Sequence, residues 1–317
     1  MDKFNIEFYR KSNKDLCNLD DSSLIKHYEE IGQYQMRLYY PVIFKREQIF
    51  IFSIKIGYYL ALTLQYLLFK NCIMSTIIYK INPKLPNLHI ILFSQKVTVF
   101  PKKYIIYQLE QKDISNWVDA KYKLGILNSY KTWDYSQSNI NKFGDKIKSK
   151  MIFFPIPLVP YNYLNYKLSK DSLLNSTSNN LLFYGSINND RRKKLNYLQQ
   201  KLSPKYKIKI ISDLSGEDLF KEILKSKIIL NIHYYKGAIL ETYRINEVLS
   251  CGKLVISEKP DPIDNDNYEL YKDKIVFIDN IEEMYEKIIY YLNNNISINN
   301  IYTTPYFTNS TIIDLIS

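Results

Sequence analysis

The chain has 317 residues, a length typical of two ordinary domains. Lys and Arg number 43 and Asp and Glu 32, so the net charge is +11, and 46 % of the residues are hydrophobic, which excludes a wholly disordered chain. The basic residues form no single run or face, so no nucleic-acid partner is expected. Three widely spaced cysteines (Cys17, Cys72 and Cys251) exclude a zinc ribbon or a disulfide framework, and they favour a reducing, cytoplasmic location.

Residues 1–42 are predicted to form a small helical extension. Apolar residues recur at helical spacing between Leu16 and Ile31, Asp20–Asp21–Ser22 supplies an N-cap region, and Gly32 is placed to end the helix. We interpret this extension as a packing element, in which His27 has no catalytic role.

The segment 49–69 is apolar and long enough to span a bilayer. It contains Lys55 and Gln65, and its composition changes from β-branched to helix-forming residues. We therefore interpret it as a strand, Gln48–Ile54, followed by a helix, Gly57–Lys70. No transmembrane segment is expected, although a peripheral membrane contact stays open.

Residues 43–165 alternate between apolar strands and amphipathic helices, which predicts a parallel, doubly wound sheet. The further elements predicted here are strands Ser75–Ile81, Leu88–Ser94, Tyr104–Leu109 and Met151–Phe154, and a helix over Ala120–Tyr130. The polar stretch 166–180 is predicted to be a linker.

Residues 181–292 repeat the alternation, which predicts a second Rossmann-like domain, and 293–317 form a weakly patterned tail. The predicted strands are Leu181–Tyr184, Tyr206–Ile211, Ile228–Ile232, Lys253–Ser257 and Ile275–Ile278, and the predicted helices are Asn189–Leu202, one opening at Ser215, Ile239–Ser250 and Glu282–Leu292. The fold class is therefore α/β, with two parallel sheets. Ligands bind at the carboxyl ends of such strands, so a cleft between the two sheets is the expected site.

A strand that ends at His233 leads through a glycine-containing loop to a helix predicted to start near Ala238. Free backbone N–H groups at a helix start favour phosphate. Glu241, Arg244 and Glu247 are spaced to share one helix face. A guanidinium there can hold a diphosphate and a carboxylate can accept hydrogen bonds from ribose, although Arg244 and Glu247 could equally form a helical ion pair.

The first turn of the second domain carries two arginines. After the strand, Gly185 leads into a polar loop, and Arg191 and Arg192 fall in the first turn of the next helix. Cations there oppose the helix dipole, and a bound anion would remove the conflict. The alternative is a pair of solvated surface arginines.

The run Phe183–Glu258 resembles the donor-binding domain of GT-B glycosyltransferases, in the family 1 and 4-like group found in bacteria and large DNA viruses. The resemblance rests on the YGS at Tyr184–Ser186 followed by Arg191, and on the R-x-x-E…CG pattern that runs from Arg244 to Gly252. YIIYQLEQ (104–111) and TWDYSQSN (132–139) are similar to elements of the first domain of that group.

The resemblance implies a GT-B fold, in which two Rossmann-like domains face a cleft. It also implies a metal-independent glycosyltransferase, which moves a hexosyl or related sugar from a nucleotide-diphosphate sugar, with a UDP-sugar favoured, to a hydroxyl on a glycan or glycoconjugate acceptor. A viral member would work in the host cytoplasm.

The resemblance also implies roles for individual residues. Glu247 matches the carboxylate that holds the ribose, Arg191 and Arg244 match cations facing the diphosphate, and the Gly237 and Ala238 amides would face the phosphates or the donor sugar. The other expected donor-site residues are Gly185, Ser186, His233 and Glu241. Many members of the group carry two glutamates eight positions apart, and the position eight before Glu247 is Ile239, so Glu241 is only a candidate substitute.

The catalytic base is left open by the sequence. Glu110, with Gln111, closes an apolar strand on the acceptor side, so it is a candidate general base. A carboxylate that caps the next helix or braces the loop is the competing interpretation, and Asp134 and His233 are rival bases.

The triplet Asp264-Asn265-Asp266 is formally the metal motif of the other large glycosyltransferase fold. It lies late in the second domain in an acidic loop, so we interpret it as coincidental. Neither a metal nor another cofactor is expected, because arginines and backbone amides can stabilise a departing diphosphate. A catalytically silent module that binds a glycan or a partner is the alternative function.

Overall fold

The computed structural model describes residues 4–37, 39, 48–71, 73–160, 163 and 179–294. In the amino-terminal extension, α1 (Ile6–Ser12) and α2 (Asp21–His27) are followed by a π-helical turn that ends at Gly32. The Asp20 side chain caps α2 by accepting a hydrogen bond from the Ser23 amide. The predicted cap and helix end are therefore confirmed.

The extension packs through an aromatic cluster. Tyr9, Leu24 and Tyr28 are buried there, and Phe69 from the first domain packs against them. The His27 ring contacts the Tyr9 hydroxyl at 2.9 Å, a packing contact of the kind expected for this residue.

The first sheet has six parallel strands in the order β2-β1-β3-β4-β5-β6. The strands are β1 (Ile49–Phe52), β2 (Ser75–Ile78), β3 (His89–Ile91), β4 (Tyr104–Gln108), β5 (Lys131–Asp134) and β6 (Met151–Phe153), and the helices are α3 (Tyr58–Lys70), α4 (Ala120–Asn128), α5 (Gln137–Asn141) and α6 (Asp145–Lys148). The apolar segment 49–69 is a strand followed by a helix, as predicted. Among the described residues, none of the helices is long and apolar enough to cross a membrane.

Strand β5 was not predicted, because Lys131 to Asp134 is short and mostly polar. It pairs with both β4 and β6, and its Trp133 is fully buried. Tertiary burial of one large side chain here outweighs the weak local pattern.

The second sheet has five parallel strands in the order β11-β10-β9-β7-β8. The strands are β7 (Asn179–Tyr184), β8 (Ile208–Ile211), β9 (Ser226–Asn231), β10 (Leu254–Glu258) and β11 (Val276–Ile278), and the helices are α7 (Asn189–Leu202), α8 (Gly216–Leu224), α9 (Thr242–Ser250), α10 (Asn265–Tyr271) and α11 (Ile281–Asn294). Of the predicted linker, 166–178 lie outside the described residues, as do residues 295–317 of the predicted tail.

The prediction that a helix starts near Ala238 is wrong, because α9 begins at Thr242. Gly237 has a φ of +70°, and the residues that follow it form a loop. In that loop the Ile239 and Leu240 amides donate to the Gln111 and Asp264 side chains. Side chains from distant parts of the sequence therefore accept the hydrogen bonds of these two amides, and the segment does not form a helical turn.

Helices α3 and α9 join the two domains. The Tyr59 hydroxyl of α3 donates to the Asn246 carbonyl of α9 at 3.0 Å and lies 2.9 Å from Ser250 Oγ. Tyr59 and Leu62 belong to the same buried cluster as Leu249. The contact between the two helices is thus mainly apolar, and its buried hydroxyls are hydrogen-bonded. It brings the carboxyl ends of both sheets to a shared cleft.

Candidate functional site

A pocket of about 160 Å³ lies in the cleft. The first domain contributes residues that directly follow β3, β4 and β5, and the second contributes the start of α9. The lining residues are Phe93, Leu109, Glu110, Gln111, Tyr135, Glu241, Thr242, Tyr243 and Arg244. The pocket therefore lies where parallel α/β sheets place their ligands.

Arg191 is a buried cation with an unused donor. It lies in the first turn of α7, the helix that follows β7. Strands β7 and β9 are neighbours in the second sheet, and the strand order reverses between them. Nε donates to the Ile232 carbonyl at 2.8 Å and Nη1 to the Ser186 carbonyl at 2.7 Å. Within the described part of the chain, Nη2 has no hydrogen-bond partner, although the residue is only 1 % exposed. Burial, with the nearby Arg244 charge, lowers the pKa of Arg191 to about 10, so an anion here would relieve both costs.

The two neighbouring arginines differ in environment. Asn188 caps α7 by accepting a hydrogen bond from the Arg191 amide at 2.9 Å, and this cap fixes the direction of the first turn. Arg191 then points inward, whereas Arg192 is exposed. Only Arg192 fits the interpretation as a solvated surface residue.

Gly185 lets Arg244 approach Arg191. It has a φ of +125°, and a Cβ added there would lie 2.8 Å from Arg244 Nη2 and 3.6 Å from Arg191 Nη1. Arg244 Nη1 donates to Asn231 Oδ1 at 3.0 Å. None of the ion pairs among the described residues joins Arg244 to Glu247, so the helical ion pair considered for them is not formed. Two guanidinium groups therefore converge over one glycine.

Glu241 and His233 form a tight charged pair. His233 Nδ1 lies 2.6 Å from Glu241 Oε2, and His233 Nε2 lies 3.0 Å from the Lys259 carbonyl. A carboxylate and a carbonyl oxygen both accept hydrogen bonds, so this arrangement favours the imidazolium form of the ring, which donates from both nitrogens. Burial disfavours both charges, but their mutual attraction outweighs it: the pKa of His233 is raised, and the pKa of Glu241 is lowered to about 2.

Replacing Glu241 with glutamine is expected to lower the pKa of His233 below its ordinary value, because only the desolvation cost would then remain strong. Titration of the histidine ring signals by NMR measures this. His27 lies in the amino-terminal extension and serves as an internal control, whose pKa is expected to stay unchanged. A His233 pKa that stays raised in the variant would contradict the pairing.

Glu247 is a buried carboxylate with one hydrogen-bond donor, the Tyr184 hydroxyl, among the described residues. It is 4 % exposed, and its Oε2 lies 3.2 Å from the Tyr184 hydroxyl, which is also 3.2 Å from the Arg244 carbonyl. Burial raises the pKa of Glu247 to about 7. A carboxylate with so few donors has capacity for further hydrogen bonds from a ligand.

Of the three candidate bases, only Glu110 lines the pocket. It is half-buried, its carboxylate accepts hydrogen bonds from Gln95 Nε2 at 2.8 Å and Ser115 Oγ at 2.6 Å, and burial raises its pKa. Asp134 is fully buried and accepts from the Ser136 amide and Asn139 Nδ2. Both ring nitrogens of His233 are already engaged. Glu110 therefore keeps its place as candidate base, and it also braces its own loop.

Some contacts around the site could not be read from motifs. Asn231 Nδ2 donates to Glu241 at 3.1 Å, and its Oδ1 accepts from Arg244. Glu258 accepts from the His233 amide at 2.8 Å and pairs with Lys194 at 2.7 Å. The sequence signal that could have indicated these contacts is that a polar residue ends each of the buried strands, Asn231 in β9 and Glu258 in β10.

The comparisons with known proteins concern the second domain and the fold. Residues 172–303 match the family model described as "Glycosyl transferase-like". An alpha-glucosyltransferase solved in complex with UDP and a 13-mer DNA is similar in structure, with a TM-score of 0.52, 11 % identity, and coverage of 78 % of this chain and 90 % of that chain. An alpha1,3-fucosyltransferase solved with GDP-fucose has a TM-score of 0.44, 11 % identity, and coverage of 90 % and 94 %. Among curated proteins, none matches the sequence.

The family match covers the domain that holds Arg191, Arg244 and Glu247, and the first structural similarity covers 78 % of the chain. The two parallel sheets of six and five strands have the arrangement expected of the GT-B fold. The chain therefore has the GT-B fold, and its second domain matches a glycosyltransferase-like family model.

Proposed function

We propose that this chain transfers a sugar from a nucleoside-diphosphate sugar to an acceptor hydroxyl on a glycan or glycoconjugate. The observation that carries the proposal is the pair of guanidinium groups, Arg191 and Arg244, converging over Gly185. Among the described residues, the buried Arg191 Nη2 has no hydrogen-bond partner, and it lies 3.7 Å from Glu241 Oε1. Two adjacent cations fit the charge of a diphosphate, and a planar guanidinium fits its oxygens.

Glu247 is proposed to hold the ribose of the donor. Its carboxylate is buried one helical turn beyond Arg244 and has spare acceptor capacity. We favour UDP as the nucleotide, since the alpha-glucosyltransferase with a similar fold was solved with UDP.

In the proposed reaction, the bond between the anomeric carbon and the β-phosphate oxygen breaks, and a bond from the acceptor oxygen to that carbon forms. The acceptor proton passes to a base, for which Glu110 is the candidate on the pocket wall. The departing diphosphate carries the negative charge, and the two arginines stabilise it. We therefore propose that transfer needs neither a divalent metal nor another cofactor.

The test is release of free nucleoside diphosphate from a panel of UDP-, GDP- and dTDP-sugars, with and without EDTA. We expect a UDP-sugar to be hydrolysed slowly without an acceptor, at the same rate in EDTA. Loss of the signal in EDTA would overturn metal independence, and a response confined to another nucleotide would overturn the choice of UDP. No release from any donor, together with no nucleotide binding in thermal shifts, would overturn the function.

The acceptor is tested next, with the responding donor and radiolabelled sugar. We expect label to move to an oligosaccharide panel. A duplex DNA carrying hydroxymethyl bases belongs in the same assay, because the similar alpha-glucosyltransferase was solved with DNA containing an HMU base. Transfer to that DNA alone would contradict the glycan acceptor while leaving the transferase reaction intact.

A further inference from the structure

The acidic triplet 264–266 faces the first domain. Asp264 is fully buried, and its Oδ1 accepts hydrogen bonds from the hydroxyls of Ser136 at 2.7 Å and Ser138 at 2.8 Å. Asp266 Oδ2 accepts from the Gln137 amide at 3.0 Å. Both carboxylates therefore connect the second domain to the start of α5 in the first.

The other oxygen of Asp264 holds residues 237–241, which we call the donor loop. Oδ2 accepts from the Leu240 amide at 2.8 Å. Leu240 directly precedes Glu241, which pairs with His233 and lies 3.7 Å from Arg191. One carboxylate therefore connects α5 to the segment that ends at the proposed diphosphate site.

A second side chain from the first domain holds the adjacent residue of the donor loop. Gln111 Oε1 accepts from the Ile239 amide at 3.1 Å, and Gln111 Nε2 donates to the Ile239 carbonyl at 3.3 Å. Gln111 follows Glu110, the candidate base. The position of the donor loop is thus set from the acceptor side of the cleft.

The environment of Asp264 makes this arrangement specific. Asn267 Nδ2 completes the set of donors, at 3.0 and 3.1 Å from the two carboxylate oxygens. None of the ion pairs among the described residues includes Asp264. A buried carboxylate without a nearby cation is stable only when protein groups donate hydrogen bonds to it. Removing one of these donors is therefore expected to shift the positions of the remaining ones.

We propose that Asp264 is a positioning residue, which ties the donor loop to Ser136 and Ser138 and so holds the donor sugar in the geometry that transfer requires. This inference rests on the proposed function. Asp264 acts through the loop and does not touch the substrate. The triplet that looks like a metal motif thus has a role in joining the domains.

The test uses the full chain with two variants and one matched control. Ser138→Ala removes a hydroxyl that contacts Asp264 and keeps a good helix former in α5. Asp264→Asn keeps the shape and removes the charge. Ser129→Ala is the control, because the hydrogen-bond partners of its buried hydroxyl among the described residues are Ile126 and Thr132, within the first domain.

The first measurement is acceptor-free hydrolysis of the responding UDP-sugar, compared with the affinity for UDP. We expect kcat to fall about tenfold in Ser138→Ala and up to about 100-fold in Asp264→Asn, because small misplacements of a reacting group are costly. UDP affinity should stay within about threefold, because Arg191, Arg244 and Glu247 are unchanged. Ser129→Ala should change neither quantity. Equal losses of kcat and UDP affinity, or a control that behaves like the variants, would overturn the positioning role.

The second measurement does not depend on catalysis. Hydrogen exchange in the donor loop, followed by mass spectrometry, should become faster in Ser138→Ala and Asp264→Asn and stay unchanged in Ser129→Ala. Unchanged protection in both variants would overturn the connection through Asp264. If the wild-type chain neither hydrolysed a nucleotide sugar nor bound a nucleotide, the proposed function would fail, whereas the exchange experiment would still decide whether Asp264 holds the loop.

Discussion

Replacing Arg244 with alanine is expected to lower kcat for nucleotide-sugar hydrolysis or transfer by about 10²- to 10³-fold, with the fold retained. Arg244 is half-buried, and among the described residues its side chain forms one hydrogen bond, to Asn231, and a cation–π contact with Tyr184 at 5.4 Å. The loss of stability should therefore be small. The loss of rate should be large, because a cation aimed at developing charge in a sheltered site acts mainly on the transition state.

Arg192→Ala is the matched control for this experiment. Arg192 follows Arg191 in the same helical turn, but it is exposed. We expect near-wild-type rates from it, and an intermediate rate from Arg244→Lys, because an ammonium keeps the charge and loses the planar fork. Circular dichroism and thermal melting would verify the fold of each variant. An Arg244→Ala enzyme as active as the Arg192→Ala enzyme would show that the diphosphate site is assigned wrongly.

The affinity for an intact UDP-sugar is expected to rise with pH up to about 7 and then level off. Burial raises the pKa of Glu247 to about 7, so below that pH the side chain is largely protonated in the free protein. Ribose hydroxyls donate to the ionised form, so binding favours ionisation. Each pH unit below 7 should then cost at most about tenfold in affinity, until the pH reaches the pKa of the complex.

Calorimetric titrations between pH 5.5 and 8 measure this dependence. An intact sugar nucleotide is the correct ligand, because free UDP has a terminal phosphate that titrates in the same range. Glu247→Gln should bind the sugar nucleotide more weakly and lose the pH dependence. Glu222→Gln is the control and should keep the pH dependence, because Glu222 lies on α8, away from the site, and pairs with Lys209 and Lys225. A Glu247→Gln variant that keeps the same slope would contradict the role of Glu247 in binding.

The same pKa shift has the opposite effect on the stability of the free protein. The ordinary pKa of this carboxyl is 4.5, and burial raises it, so the folded state binds the proton more tightly than the unfolded chain does. The contribution of Glu247 to stability is therefore fully present below pH 4.5 and is lost as the pH rises towards 7. A nucleotide sugar that binds the ionised Glu247 carboxylate offsets this loss of stability, so ligand binding and stability are coupled.

Several features of the site were predictable because they depend on local chain geometry. Gly185 has a backbone conformation that favours glycine. The Asn188 side chain caps α7, and Arg191 lies in the first turn of that helix. The positions of Arg244 and Glu247 on one helix follow from their spacing. The GT-B fold expected from these motifs is confirmed, and the second domain matches a glycosyltransferase-like family model, whereas the individual residue roles stay predictions.

Other features depended on which segments meet. Asp264 has the local sequence of a metal motif, yet its partners are Ser136 and Ser138, which lie 128 and 126 residues earlier in the chain. The start of α9 was predicted too early because the amides of Ile239 and Leu240 find side-chain partners in a loop. Local patterns cannot reveal such partners.

The sequence by itself determined the two parallel sheets, the cleft at their carboxyl ends and the arginines that lie beside it, because alternating apolar segments, caps and glycines act over a few neighbouring residues. Only the tertiary structure decided that β5 is an inner strand, that Glu241 is neutralised by His233, and that Asp264 joins the two domains. These contacts arise when distant segments are buried together, since a buried polar group must find its partner wherever the packing places one.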